Sequence, residues 1–287
     1  MKRVAIVGTG LIGASVGLAL KASGFAGEIV GWDASAVELE MAIERGAVDQ
    51  ALENREAVLG ADADLTVLAT PVLPILDWMQ KLSSVLGEGR LVTDVGSTKR
   101  EIAEMAKALY NREGSAGFLP GHPMAGKESG GAALAEADLF RGATWLFTPV
   151  GGVEGALESE WRGWVSRIGA QGRDMDPERH DEVCAWVSHL PQMVSTALAA
   201  LLEDTFADDP DGMAAVQAIG GRALRETTRL GASPYSMWRD VALTNTEAVA
   251  TTLAALEQRL AHVRENLRTP ELREEFATAN KFRAKRS

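Results

Sequence analysis

The apolar positions of this chain follow two patterns that change over near Pro177. Before it, short continuous apolar runs alternate with longer segments of helical period. Arg3–Val7, Glu28–Trp32, Asp64–Ala69 and Gly89–Asp94 are runs of five or six residues, the length of strands buried on both faces. Ala14–Ala22, Ser35–Arg45 (stopped by Gly46), Val72–Leu86 and Lys99–Tyr110 read as helices. Gly117–Gly121 and Thr144–Thr148 are further strand candidates, Gly155–Ile168 is helical, and Gln171–Asp176 reads as a last edge strand. The alternation predicts an α/β domain over residues 1–176, a doubly wound and mostly parallel sheet with helices on both faces. Ligands of such sheets sit outside the carboxyl ends of the strands.

After Pro177 the strands cease. Glu182–Asp204, Met213–Leu230, Ser236–Thr244, Glu247–Leu267 and a short segment near Pro270–Ala279 read as helices, which predicts an all-α domain over 177–287. Pro191 lies inside the first and should kink it just after His189. In the fourth, Val249, Leu253, Leu256, Leu260, Val263 and Leu267 are spaced 4, 3, 4, 3 and 4 apart. That heptad seam either packs within its own subunit or pairs across a dimer.

The first apolar run feeds into Gly8-Thr-Gly10-Leu11-Ile12-Gly13 and then into a helix, and the second ends on Asp33. This is the strand–turn–helix–strand–acid order of a dinucleotide-binding unit. Gly8 permits the tight turn, Gly10 the approach of a pyrophosphate to the backbone, and Gly13 close packing of helix on strand. The helix start, with Leu11 and Ile12 in its first turn, offers free N–H groups to phosphate. Asp33 falls twenty residues after Gly13, where a carboxylate accepts from ribose hydroxyls. It would repel a 2′-phosphate, and Ala34, Ser35 and Ala36 bring no arginine to receive one. NAD is therefore expected over NADP. Thr70-Pro71 forms the loop at the carboxyl end of the third strand, on the same side.

Composition narrows the remaining choices. The 287 residues suggest about two domains, and 46% apolar with 24% charged residues is ordinary for a globular protein. A net charge of −11 argues against nucleic-acid or anionic-membrane binding. The basic tail Lys281–Arg286 reads as a solvated end. A single cysteine, Cys184, excludes an internal disulfide and fits a reducing compartment. With neither a signal peptide nor an apolar stretch long enough to span a bilayer, the expected location is cytoplasmic.

Three polar constellations lie at predicted strand or helix ends. In Asp94–Lys99, Thr98 and Glu101 fit a capping box, which leaves Ser97 and Lys99 to point toward the nicotinamide end of the crevice. In Gly121–Gly130, His122 is pinned between glycine and proline and not easily buried. Imidazole is the natural base for a hydroxyl proton when hydride leaves the same carbon. His180 and His262 sit among charges and are expected to be solvated, while His189 is either a satisfied core histidine or a substrate donor. No histidine–carboxylate spacing suggests a metal. The third constellation is Arg222, Arg225 and Arg229, three and four apart on one helix face. It reads either as a solvated face with an Arg222–Glu226 pair or as a carboxylate-binding patch beside the Gly220-Gly221 break.

Together these segments resemble the prephenate dehydrogenase family, with its arogenate and cyclohexadienyl variants, over essentially the whole chain. The resemblance rests on Val4–Leu20 (VAIVGTGLIGASVGLAL), DVGSTK at Asp94–Lys99, GHPMAGKESGG at Gly121–Gly131, SHLPQ at Ser188–Gln192 and the run from Leu224 to Asn245. It implies oxidative decarboxylation of prephenate to 4-hydroxyphenylpyruvate, or of arogenate to tyrosine, with NAD reduced. It also implies that His122 is the catalytic histidine, Ser97 the serine that orients it, His189 a substrate contact and Arg229 the holder of a substrate carboxylate. The family's second domain is helical and dimerising, so a homodimer is expected. No regulatory or mutase domain is expected after the last helix.

Two departures bear on substrate. The family often has G-F-R-D-x-T-R where this chain has Ala223–Arg229, a mild change around Arg225. Lys127 stands where threonine or serine is common. Five residues after His122, its ammonium would repel that of arogenate and favour prephenate, unless it turns to solvent or pairs with Glu128 or a cofactor phosphate. Dehydrogenases of the 3-hydroxyacid kind share the architecture but use a lysine from the helical half, and none occurs between Pro177 and Asn280. A non-enzymatic NAD-binding sensor would not need His122 at the crevice.

Overall fold

The computed structural model describes residues 1–151 and 155–285. Its first half runs β1 (Arg3–Val7), α1 (Leu11–Ala22), β2 (Glu28–Trp32), α2 (Ala36–Glu44), β3 (Gln50–Ala51), α3 (Arg55–Leu59), β4 (Leu65–Leu68), α4 (Val72–Ser83), β5 (Leu91–Asp94), α5 (Arg100–Leu109), β6 (Gly117–Leu119), β7 (Gly121–Pro123), β8 (Thr144–Phe147), α6 (Ala156–Arg167) and β9 (Gln171–Asp174). The helical half follows: α7 (Pro177–Cys184), α8 (Leu190–Phe206), α9 (Pro210–Ile219), α10 (Arg222–Thr228), α11 (Tyr235–Thr244), α12 (Thr246–Glu265) and α13 (Glu271–Ala284).

The main sheet has the order β3-β2-β1-β4-β5-β6 with every pairing parallel. Alternation along β1 shows why its run is apolar throughout. Val4 and Ile6 enter one core, with Phe140, Trp145 and Trp161, while Ala5 and Val7 enter the other, with Trp78 and Tyr110. Each fully buried branched side chain contributes about 1.5–3 kcal/mol, which a polar replacement in β1 would forfeit. The chain order reverses between β1 and β4, and the groove at their carboxyl ends is where a ligand fits.

Gly117–Gly121 is not one strand. Pro120 lacks an N–H for the ladder, and the chain leaves the main sheet there to begin β7. The latter belongs to a separate sheet of order β7-β8-β9, antiparallel then parallel. His122 therefore lies within a short strand, and burial leaves it 9% exposed, against the expectation that its neighbours would keep it out of the interior.

One helical expectation is also corrected. Met213–Leu230 divides at Gly220-Gly221, and the α-helical hydrogen bonding ends at Thr228, with Arg229–Ala232 forming a tighter 3₁₀ turn. Just after His189, where Pro191 is expected to disturb the helix, the hydrogen bonding changes from π to α. Ala185–His189 widens into a π-turn between α7 and α8, which absorbs the missing N–H of the proline within a continuous helical path.

No helix among the described residues is long and apolar enough to cross a membrane. Of the basic tail, Arg286 lies outside the described residues, and Lys281–Ala284 continue α13. The seam is mostly uncovered: in α12 Val249 is buried, but Leu253 and Leu260 are 38% and 59% exposed, and Leu267, just past the helix, is 61% exposed.

Candidate active site

The glycine turn is built as a cradle. Gly8 sits at φ +94°, and a Cβ there would meet the Ala69 carbonyl oxygen at 2.6 Å. A Cβ on Gly13 would lie 1.9 Å from the Gly8 carbonyl. At Gly10 the same atom would meet open space, and Gly10 caps α1 with no side chain in the way. The helix N-terminus is thus free to take an anion. Asp33 braces the turn: its carboxylate accepts from Thr9 N–H at 2.7 Å and Ser35 N–H at 2.8 Å. The strand-end position leaves the acid half-exposed. These features fit a dinucleotide, and Gly10, Leu11, Ile12, Thr70 and Pro71 line the cleft that begins here.

The same cleft continues past Ser97 and His122 and ends against His189, Arg229 and Trp238. Ser97 is half-buried on its wall. Lys99 does not point into it. That side chain is fully buried and forms an ion pair with the equally buried Asp94. The carboxylate of Asp94 also accepts from Gly96 N–H at 2.7 Å and Gly121 N–H at 3.1 Å. Burial pushes Asp94 up and Lys99 down, against their mutual attraction. The pair ties the end of β5 to the start of β7, and so fixes where His122 lies.

His122 Nδ1 is 2.9 Å from Nε2 of His180, which leaves its Nε2 for the cleft. His180 is therefore not solvated. It is fully buried, and its Nδ1 lies 2.8 Å from Asp181 Oδ1. Asp181 in turn accepts the backbone N–H of Lys99 (2.7 Å) and of Arg100 (2.9 Å). The cap of α5 thus comes from a helix 82 residues on, not from a box between Thr98 and Glu101. The Thr98 hydroxyl pairs with that of Thr244 at 2.7 Å instead. Burial holds His122 well below the ordinary imidazole value, aided by His180, the Lys99 ammonium and His189. His180 is held below its usual value, also by burial, against the pull of Asp181.

His189 is buried with Nδ1 3.3 Å from the Asn245 amide nitrogen. That nitrogen also donates to the Asp181 carbonyl at 2.9 Å, which fixes the amide orientation. His189 Nδ1 is thus an acceptor and Nε2 carries the proton. Neither Nε2 of His189 nor Nε1 of Trp238 has a partner among the described residues, and both residues line the cleft. Buried polar atoms are almost always bonded, so these two N–H groups mark places for ligand acceptors. Burial lowers His189 to about 4.

The arginines separate. Arg222 pairs with Glu226 at 2.6 Å on the surface, and Arg225 is exposed away from the cleft lining. Only Arg229, carried by the 3₁₀ turn, reaches the cleft, where it forms an ion pair with Glu128. Lys127 lines the mouth, but its ammonium is held by Glu136 at 2.6 Å and by the Leu134 carbonyl at 2.9 Å. Sequence reasoning missed His180, Asp181, Asn245 and Trp238. One signal was available: His180 and Cys184 are four apart, so the histidine shares a helix face with a residue type that prefers burial.

Residues 16–160 match the family model described as the nucleotide-binding domain of prephenate dehydrogenase, and residues 176–281 match its dimerization domain. The chain belongs to the prephenate dehydrogenase family. It is 33% identical over 267 residues to a prephenate dehydrogenase of Lactococcus lactis, covering 92% of this chain and 70% of that protein. A prephenate dehydrogenase from A. aeolicus, solved with hydroxyphenyl propionate and NAD+, is 30% identical with a TM-score of 0.87, over 100% of this chain and 97% of that one. An arogenate dehydrogenase from Synechocystis is 31% identical with a TM-score of 0.77, over 99% and 100%. Like these relatives, the family member described here is an oxidoreductase by its fold and its two matched domains.

Proposed function

We propose that this family member oxidatively decarboxylates prephenate with NAD. The observation that carries the reading is a single cleft joining the Gly10 cradle to His189 and Arg229, with His122 at the junction. Gly10, Leu11 and Ile12 would receive the pyrophosphate, Asp33 the ribose, and Thr70, Pro71 and Ser97 the approach to the nicotinamide. When bound, NAD supplies the hydride acceptor.

The residues of the chain then have separable tasks. His122 takes the proton of the C4 hydroxyl at Nε2, and its depressed basicity keeps that nitrogen free at neutral pH. His189 and Trp238 donate into the pocket, and Arg229 receives a carboxylate by sharing its fork with Glu128. Aromatisation with loss of carbon dioxide drives the reaction, so positioning and general-base catalysis carry most of the enzyme's contribution. His122→Asn should lower kcat by about 10²–10⁴-fold and leave NAD binding intact. A variant keeping half its activity would place the base elsewhere.

One observation favours a second reading for substrate choice. The Lys127 ammonium is already neutralised by Glu136, so it offers little repulsion to the ammonium of arogenate. Acceptance of arogenate beside prephenate follows, and kcat/KM for both substrates, followed as NADH absorbance, decides between strict and dual specificity. The helical half forms a homodimer through the uncovered α12 seam.

A further inference from the structure

We propose that His180 and Asp181 hold the proton of His122 on Nδ1, so that the bare Nε2 faces the substrate. His180 is then a positioning residue that acts through His122, and the inference rests on reading His122 as the base.

The direction of each hydrogen bond follows from the α5 N-terminus. Asp181 Oδ1 and Oδ2 already accept the N–H groups of Lys99 and Arg100, an arrangement that suits an ionised carboxylate at a helix start. Such a carboxylate has no proton to give. His180 Nδ1, 2.8 Å from Oδ1, must therefore be the donor. A neutral imidazole carries one N–H, so His180 Nε2 presents a lone pair. Its neighbour at 2.9 Å is His122 Nδ1, which must then carry the hydrogen. What remains on His122 is an unprotonated Nε2 on the cleft side. Free histidine in water prefers the opposite tautomer, so without this chain of contacts the base would present a hydrogen to the substrate hydroxyl.

Other groups around the pair are consistent with a single shared proton. Lys99, paired with Asp94, contributes positive charge from the start of α5, and His189 approaches from the π-turn. Both disfavour a charged ring, while Asp181 and Asp94 favour one at His180. Cys184 Sγ lies 3.6 Å from His180 Nε2, and burial raises its thiol to about 12, so it stays a weak donor to the same lone pair. During turnover the substrate O–H bond breaks and an Nε2–H bond forms. The electron pair of the O–H bond becomes the second C–O bond as hydride leaves the carbon. His122 is then an imidazolium whose Nδ1–H still donates to His180, and Asp181 behind it offsets the new charge.

Nitrogen-15 NMR of histidine-labelled enzyme without substrate tests the assignment directly. At pH 7, His122 should show a protonated Nδ1 and a bare Nε2, and the reverse tautomer overturns the proposal. That measurement stands whether or not prephenate is the substrate. Two variants add a functional readout. The amide oxygen of His180→Gln reaches the position of Nε2 and can accept, whereas His180→Leu cannot. His180→Leu should lose about 10–100-fold in kcat, part of the base contribution, with KM and the Kd for NAD within about twofold. His180→Gln should recover most of that loss. Equal kcat in the two variants would refute a tautomer-fixing role, and if neither folds the spectrum of the wild type alone decides.

Discussion

His189 illustrates what burial does to an imidazole whose one proton already points at a ligand site. Its value of about 4 lies below the ordinary 6.5. Between those limits the unfolded chain binds more protons than the folded one, so stability falls as pH is lowered from 6.5 toward 4 and this contribution levels off below. A shift of this size corresponds to about 3 kcal/mol. His122 and His180 are shifted in the same direction and steepen the loss. Urea midpoints for wild type and His189→Gln, taken from pH 7.5 to 4.5, should show a shallower decline in the variant. Parallel declines would mean that His189 titrates normally.

At the scale of elements, the start of α5 separates local from distant causes. A capping box over Thr98 and Glu101 would make Glu101→Ala cost about 1 kcal/mol, since only Glu or Gln there can reach back to the cap. With Asp181 as the actual cap and Glu101 pushed up by its partial burial, the substitution should be neutral within about 0.5 kcal/mol. Chemical denaturation of the two proteins checks this. The contrast explains what the sequence made legible. The order from Gly8 to Asp33 is a local strand–turn–helix–strand unit, with Gly13 packed on the Gly8 carbonyl of the same turn, and it was readable along with the parallel sheet. Arg229 and His122 were readable as residues of the crevice, and both line the cleft. The burial of His180 was not, because Glu178, Arg179, Asp181 and Glu182 surround it in sequence while its partner His122 is 58 residues away. Lys99 misled for the same reason, since a lysine on a crevice loop gives no sign that a buried Asp94 awaits it. The split at Pro120 was marked by the proline itself, but the separate sheet beyond it depends on pairing with β8.

For the whole molecule, the exposed leucines of α12 predict assembly. Sedimentation velocity at micromolar concentration should find a dimer. Leu260→Glu should weaken it by at least about 10²-fold, because a buried leucine contributes about 1.5–3 kcal/mol in each of two copies. A monomeric wild type would leave the seam without its expected partner. Inside each subunit, the two halves are laced together at several separate points. Asp181 takes the amides of Lys99 and Arg100, Asp240 takes that of Leu73 at 3.0 Å, and Thr98 meets Thr244. Asp181 and Asp240 are buried, and each N–H donates to a carboxylate that water reaches poorly while the halves stay together. All of these ties would have to break for the nucleotide-binding and helical halves to part. Hydrogen exchange should report this as a shared clock: the amides of Leu73, Lys99 and Arg100 should exchange at one common slow rate set by global unfolding. Were they to exchange orders of magnitude faster than the amides of β1 and β4, the halves would open independently. If they keep that common rate, substrate enters and leaves a body that does not open, and the traffic falls to the residues at the cleft mouth, where the Arg229–Glu128 contact must yield first.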